Sequence, residues 1–427
     1  MSVGPGEGDA AATAVVRPFV VGRTPHLEFG AGRLERLPAI LASYGERVLL
    51  VTGAASFRRS PSWPWLLDEL DRRAMAHDDL AVSGEPSPDL VDEAVGRIRD
   101  RPPDVVVGIG GGSVLDAAKA VAGLLLTGRS VRDHLEGVGP QLPYEGPAVP
   151  FVAVPTTAGT GSEATRNAVL SEPGPGGFKK SFRDERLVAQ VAIVDPDLLR
   201  GCPPRLIATD GLDALTQLLE SYVSTGASPF TDALARAGLA AARDGLLPWH
   251  RAARAAGAAG ADSDAGGRTG AAASAAARAA MAWAAYLGGV CLAQAGLGAV
   301  HGLASPLGAR FPIPHGAACG ATLVAATAAN LAALAARDPD GPALRRYAEA
   351  GRMLAADDDL PDSAARTGLL DLLTAWTAEL DLARLADFGV GPGDVAALVA
   401  ESRGSSMRTN PIVLTDDEVA AVVRASL

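Results

Sequence analysis

The stretch VVVGIGGGSVLDAAK, Val105 to Lys119, decides how this chain folds. Val105-Val106-Val107-Gly108-Ile109 is a run without a polar residue and β-branched but for Gly108, the mark of a strand buried on both faces. Gly110, Gly111 and Gly112 end it, and a helix-like run begins near Ser113. A strand that passes through glycines into a helix makes an anion site. The glycines allow close backbone approach, and the helix start turns free N–H groups and its positive dipole end toward the ligand. The order is not GxGxxG, because Ser113 takes the last glycine's place. A strand–helix unit over 48–99 also precedes it, so this is not the first turn of a standard Rossmann unit.

Working outward, Val48–Thr52 (ended by Gly53), Phe151–Pro155 and Val191–Asp195 are runs of the same kind, separated by helical patterns. They predict a parallel sheet covered on both faces. Beyond residue 200 the strand signals stop. Segments 205–245, 270–298, 318–337, 342–355, 363–381, 393–402 and 415–426 read as helices, and Pro203-Pro204 marks the change. The expected architecture is an α/β dinucleotide-binding domain over 16–202 and an all-helical metal-binding domain over 203–427. Residues 1–15 read as a disordered tail, and the Ala/Gly/Asp-rich centre at 257–267 as an exposed loop.

A chain of 427 residues exceeds one ordinary core, and 48% apolar with 20% charged residues is globular composition. The net charge of −11 opposes nucleic-acid phosphates and anionic membrane surfaces as partners. Cys202, Cys291 and Cys319 are odd in number and form no CxxC pair, so a reducing cytoplasm is expected rather than a disulfide framework. Neither a secretory leader nor a membrane span is expected.

A second loop, Pro155-Thr-Thr-Ala-Gly-Thr-Gly-Ser-Glu163, follows another buried-strand run. Its hydroxyls on Thr156, Thr157, Thr160 and Ser162 suit hydrogen bonds to phosphate, ribose or a nicotinamide amide. Asp213 and Gln217 stand one turn apart on a helix face. His301 and His315 flank a segment whose prolines and glycines end one helix and start another, so both can face one cleft. A carboxylate with two imidazoles suits Fe(II) or Zn(II), with the Gln217 amide oxygen as a weaker fourth ligand. Such an ion would act as a Lewis acid. His26, His77, His134 and His250 lack such company and read as surface or packing residues.

Together GGGSVLDAAKA (110–120), PTTAGTGSEAT (155–165), Lys179 in FKKSF, DPDLL (195–199), DGLDALTQLLESYVS (210–224), HGLASPLGARFPIPHGAACG (301–320) and MRTNPIVLT (407–415) resemble the iron-containing alcohol dehydrogenase family. The resemblance implies NAD(P)(H)-dependent hydride transfer on a small alcohol or aldehyde, one divalent metal and a homodimer. It places Asp213, Gln217, His301 and His315 at the metal and Gly110, Gly111, Gly112 and Ser113 at the pyrophosphate. Asp116, Thr156, Thr157, Thr160, Ser162 and Lys179 would line the rest of the cofactor site. Three positions depart from the family's pattern. Gln217 replaces a usual histidine ligand. Ser305 replaces a histidine that relays protons. Gly53, followed by Ser56, Arg58 and Arg59, replaces an aspartate that repels a 2′-phosphate, which makes NADP acceptable. The alternatives are a non-redox sugar-phosphate cyclase on the same scaffold and a maleylacetate reductase-like enzyme. Arg166, Arg183 and Arg310 could meet an anionic substrate or serve the surface.

Overall fold

The computed structural model describes residues 16–174, 177–259 and 267–427. The expected tail at 1–15 and most of the expected loop at 257–267 lie outside them.

The first half contains β1 (His26–Phe29), α1 (Leu37–Ala42), β2 (Arg47–Gly53), α2 (Ser62–Arg72), β3 (Ala76–Val82), α3 (Pro88–Ile98), β4 (Val105–Gly110) and α4 (Gly112–Leu124). It continues with β5 (Phe151–Pro155), β6 (Asn167–Glu172), β7 (Phe178–Arg183) and β8 (Val191–Val194). Six strands form one parallel sheet in the order β1-β8-β5-β4-β2-β3. The four strands expected from apolar runs occupy its centre. Leu49 and Val106 pack toward α3 and α4, while Val48 and Val107 face α1 and α2, so both faces are dry.

The sequence reading passed over the edges. β3 is Ala-His-Asp-Asp-Leu-Ala-Val, mostly exposed, and its charges are what keeps an edge strand from pairing further. β6 and β7 form a separate antiparallel hairpin in register Asn167↔Arg183, with Ala168, Leu170 and Phe182 buried. This hairpin carries Lys179 toward the second half of the chain.

That half is helical: α5 (Pro204–Val223), α6 (Pro229–Ala259), α7 (Gly267–Ala295), α8 (Ala299–Arg310), α9 (His315–Arg337), α10 (Pro342–Ala355), α11 (Asp362–Glu379), α12 (Val395–Glu401) and α13 (Asp416–Ser426). The single helix expected over 205–245 is two. A Cβ on Gly226 would lie 2.6 Å from the Ala295 carbonyl oxygen, so the chain turns there, and Ser228 with Thr231 starts the next helix. Pro306 sits inside α8 without ending it. α5 is buried almost all round and forms the centre of this domain, packed against α6, α7 and α9. α7 and α9 are apolar and long enough to cross a membrane by length and composition, but 67% and 61% of their apolar windows are buried in the fold. They are core helices here, and α9 brings His315 to the interior.

Candidate active-site cleft

β4 delivers the chain into α4 through Gly111, whose extended backbone caps the helix without a side chain. The first-turn N–H groups therefore have no side-chain partner, the condition for receiving an anion. Gly110 and Gly112 are needed for packing as well. A Cβ on Gly110 would lie 2.5 Å from the Val114 side chain, and one on Gly112 2.6 Å from Thr160. The two loops thus touch through Gly112 and Thr160. The second loop is in turn pinned to the helical domain. Its Gly161, at φ +61°, lies so close to Gly289 of α7 that a Cβ would fall 2.4 Å from the Gly289 Cα.

Lys119 is the clamp that sequence reasoning did not assign. It is fully buried, and the three N–H groups of its Nζ are shared among the Ser162 carbonyl (2.8 Å), the Ser162 hydroxyl (3.0 Å), Thr165 Oγ1 (3.1 Å) and the Asn167 carbonyl (2.6 Å). Burial pulls its pKa down to about 8, against the pull of Asp116 and Glu163. Asp116 accepts from the Ser162 hydroxyl at 2.5 Å. Burial raises its carboxyl despite the nearby Lys119.

Across the cleft, Asp213 of α5, His301 of α8 and His315 of α9 converge. His301 Nε2 lies 3.1 Å from Asp213 Oδ1, and His315 Nε2 lies 3.9 Å from the same oxygen. His301 Nδ1 meets Glu220 Oε2 at 2.7 Å, and Glu220 Oε1 accepts the Val300 N–H at 2.7 Å. A carboxylate on Nδ1 leaves Nε2 to face the donor cluster, which is how imidazoles are oriented toward metals. Asp213, Gln217 and Glu220 are spaced i, i+4 and i+7, so one face of α5 carries all three; that spacing was the missed signal for Glu220. Cys319, one turn after His315 on α9, places its Sγ 3.8 Å from both imidazole Nε2 atoms. The donor atoms of Asp213, His301, His315 and Cys319 all lie within 4.8 Å of one another. Carboxylate, imidazole and thiol donors this close fit one divalent ion.

The histidines differ. Burial alone would lower His301, but Cys319, Asp213 and Glu220 around it raise it well above its ordinary value. His315 opens to the cleft and is lowered by burial and by the Lys179 and His301 charges, against Asp213. Burial raises Asp213, yet the histidines and Gln217 hold it below the usual carboxylate range. The Gln217 amide donates N–H to the Thr160 carbonyl at 3.3 Å, and its oxygen, which has no partner among the described residues, points toward Gly288 of α7.

One cleft is lined by Gly112, Ser113, Asp116, Thr160, Ser162, Lys179, Asp213, Gln217, His301, Ser305 and His315. Gly53, Gly110, Gly111, Thr156 and Thr157 do not line it. Gly53 ends β2 beside Val114, the Gly110 carbonyl accepts the Thr156 N–H, and Thr157 stands near Asp210, whose carboxyl is pushed up to about 7 by desolvation and the neighbouring Asp213. Lys179 forms an ion pair with Glu85, a cleft residue in the turn before α3 that no local pattern marks. Ser305 Oγ donates to the Lys179 carbonyl at 3.4 Å. Arg166, Arg183 and Arg310 are each paired with a carboxylate, of Glu185, Glu136 and Glu401.

Two family models match this chain: iron-containing alcohol dehydrogenase over residues 24–196, and the C-terminal part of the Fe-containing alcohol dehydrogenase family over residues 268–427. Alcohol dehydrogenase 4 of Saccharomyces cerevisiae is 30% identical over 403 residues, covering 93% of this chain and 95% of that protein. NAD-dependent methanol dehydrogenase of Bacillus methanolicus is 30% identical over 356 residues, 82% of this chain and 85% of that one. The crystal structure of a 1,3-propanediol oxidoreductase superposes with a TM-score of 0.81 at 26% identity, covering 96% of this chain and 100% of that one. The chain belongs to the iron-containing alcohol dehydrogenase family and is an oxidoreductase acting on CH–OH groups.

Proposed function

We propose that this chain interconverts a small alcohol and its aldehyde or ketone with NAD(P)(H), aided by one divalent ion held by Asp213, His301 and His315. One observation carries the reading: a single cleft joins an uncapped, glycine-fed helix start on the α/β side to a tight carboxylate–imidazole cluster on the helical side. Residues 16–202 would hold the cofactor and 203–427 the metal. When bound, the ion supplies a Lewis acid for the substrate oxygen and the nicotinamide accepts or supplies the hydride.

The chain's residues do the rest. The N–H groups at Gly112 and Ser113 bind the pyrophosphate, with Gly110 and Gly111 shaping the turn. Asp116, Thr160 and Ser162, which line the same cleft, would supply hydrogen bonds to ribose and carboxamide; Thr156 and Thr157 would support the loop. Lys179 and Glu85 close the hairpin side. Ser305 offers its hydroxyl to a proton path through ordered water. The branch with glutamine at the usual histidine position is supported by Gln217 standing one turn from Asp213 on α5. Beyond Gly53, the Arg58 guanidinium is already paired with Asp79, so its charge is only partly available to a 2′-phosphate. NAD and NADP are therefore both within reach. A homodimer in a reducing cytoplasm completes the proposal, consistent with three free thiols.

The test is an alcohol and aldehyde panel with each cofactor, read by absorbance of the reduced nicotinamide. Stoichiometric, net cofactor conversion supports dehydrogenase chemistry. Product formation without net conversion would instead indicate a cyclase that recycles its cofactor.

A further inference from the structure

We propose that Cys319 is the fourth protein ligand of the metal, in the place the family's pattern would give to Gln217, and that the site accordingly selects Zn(II) over Fe(II). The proposal rests on the metal reading above.

Three observations point to it. First, Cys319 is fully buried at the edge of the apolar core, but its sulfur is not in apolar contact alone. It faces two imidazole nitrogens, each at 3.8 Å, and shares a 4.8 Å cluster with the Asp213 carboxylate. Second, the spacing fits. Bonds of about 2.0–2.1 Å to nitrogen or oxygen and about 2.3 Å to sulfur give tetrahedral ligand–ligand edges of roughly 3.3–3.6 Å. Four of the six edges here are 3.1, 3.8, 3.8 and 3.9 Å and the cluster as a whole spans no more than 4.8 Å, so side-chain adjustment around an ion would complete the tetrahedron. Third, Gln217 turns its amide oxygen away, toward Gly288 of α7. Its amide nitrogen, which cannot ligate, donates to the Thr160 carbonyl. Turning the amide over would set its oxygen against the Thr160 oxygen. Among the described residues, the donor that joins Asp213, His301 and His315 in one cluster is the Cys319 thiol.

Binding converts the Cys319 thiol to a metal thiolate, with its proton released to solvent. Thiolate is a soft ligand and shifts preference toward Zn(II) and, among spectroscopic probes, suits Co(II).

The experiment loads the full-length protein with Co(II) and records its near-ultraviolet spectrum beside the metal content. A thiolate-to-Co(II) charge-transfer band is expected in the wild type and in Gln217→Ala, and lost in Cys319→Ser with Co(II) still bound. Cys319→Ser should also weaken Zn(II) retention against chelator by more than about tenfold, since a ligand counts for at least as much as an outer-shell partner. X-ray absorption at the zinc edge of the wild type needs no variant to fold, and should show one sulfur at about 2.3 Å. Co(II) bound through Asp213, His301 and His315 with no thiolate band, or a zinc shell of nitrogen and oxygen only, would overturn the Cys319 assignment and leave the metal site standing. Failure to bind either ion would overturn both.

Discussion

Replacing Glu220 with glutamine changes one oxygen to NH₂ with almost no change in shape. In the native arrangement Oε2 holds His301 Nδ1 and Oε1 accepts the Val300 N–H, both at 2.7 Å. The carboxylate is 7% exposed, so water replaces neither bond. A glutamine can satisfy only one of them. If its oxygen stays on the imidazole N–H, its NH₂ faces the Val300 N–H, donor to donor. If its NH₂ faces His301, the imidazole must carry its proton on Nε2, the nitrogen needed by the metal. Either outcome loses a charge-assisted hydrogen bond of about 1.5–3 kcal/mol. At ~1.4 kcal/mol per decade this is roughly one to two decades of metal affinity, the range measured for outer-shell carboxylates elsewhere. The assay is competition for Zn(II) against a chromophoric chelator, with far-ultraviolet circular dichroism to confirm the fold. A natively folded Glu220→Gln protein whose affinity stays within about threefold of wild type, ~0.65 kcal/mol, would refute the reasoning.

Gly112→Ala places a methyl 2.6 Å from Thr160 and forces the two loops apart; overpacking of about 1–3 kcal/mol should weaken reduced-cofactor binding by roughly 5- to 150-fold at ~1.4 kcal/mol per decade, measured by nicotinamide fluorescence. Unchanged binding would mean the loops do not cradle the cofactor together. Lys119→Met removes every contact its ammonium makes with the 162–167 segment and takes the nearest cation from Asp116. Urea unfolding should show a loss of about 3–5 kcal/mol, the usual cost of breaking a buried charged contact from one side; a loss within experimental scatter would rule out the clamp.

How much of this was legible in the sequence follows from where each residue's partners lie. The central strands β2, β4, β5 and β8 announce themselves because both faces are buried and nothing polar interrupts them. β3 carries Asp78 and Asp79 at an exposed edge, so its composition resembles a loop. The hairpin β6–β7 depends on pairing across a turn, which periodicity does not report. Asp213, His301 and His315 could be gathered because donor types are scarce and their segments are broken by proline and glycine. Glu220 and Cys319 also had local signals, i+7 from Asp213 and i+4 from His315. Lys119 and Glu85 had none, since their partners at 162–167 and 179 are brought to them only by the fold. The glycines at 110 and 112 were read as a phosphate loop, whereas contacts with Val114 and Thr160 already require them. Their presence alone is thus weaker support for a cofactor than the uncapped start of α4.

The central claim is that hydride transfer in this cleft depends on an ion held by Asp213, His301 and His315. The most direct measurement is the rate of nicotinamide reduction with a turned-over alcohol, on one preparation assayed as loaded, after chelation to below one-hundredth equivalent (about two decades), and after Zn(II) or Fe(II) is restored. His301→Ala serves as the matched control. The account predicts that activity falls with the metal, returns with it, and is absent in the variant at every step. Undiminished turnover in the metal-free protein, or in natively folded His301→Ala, would contradict it.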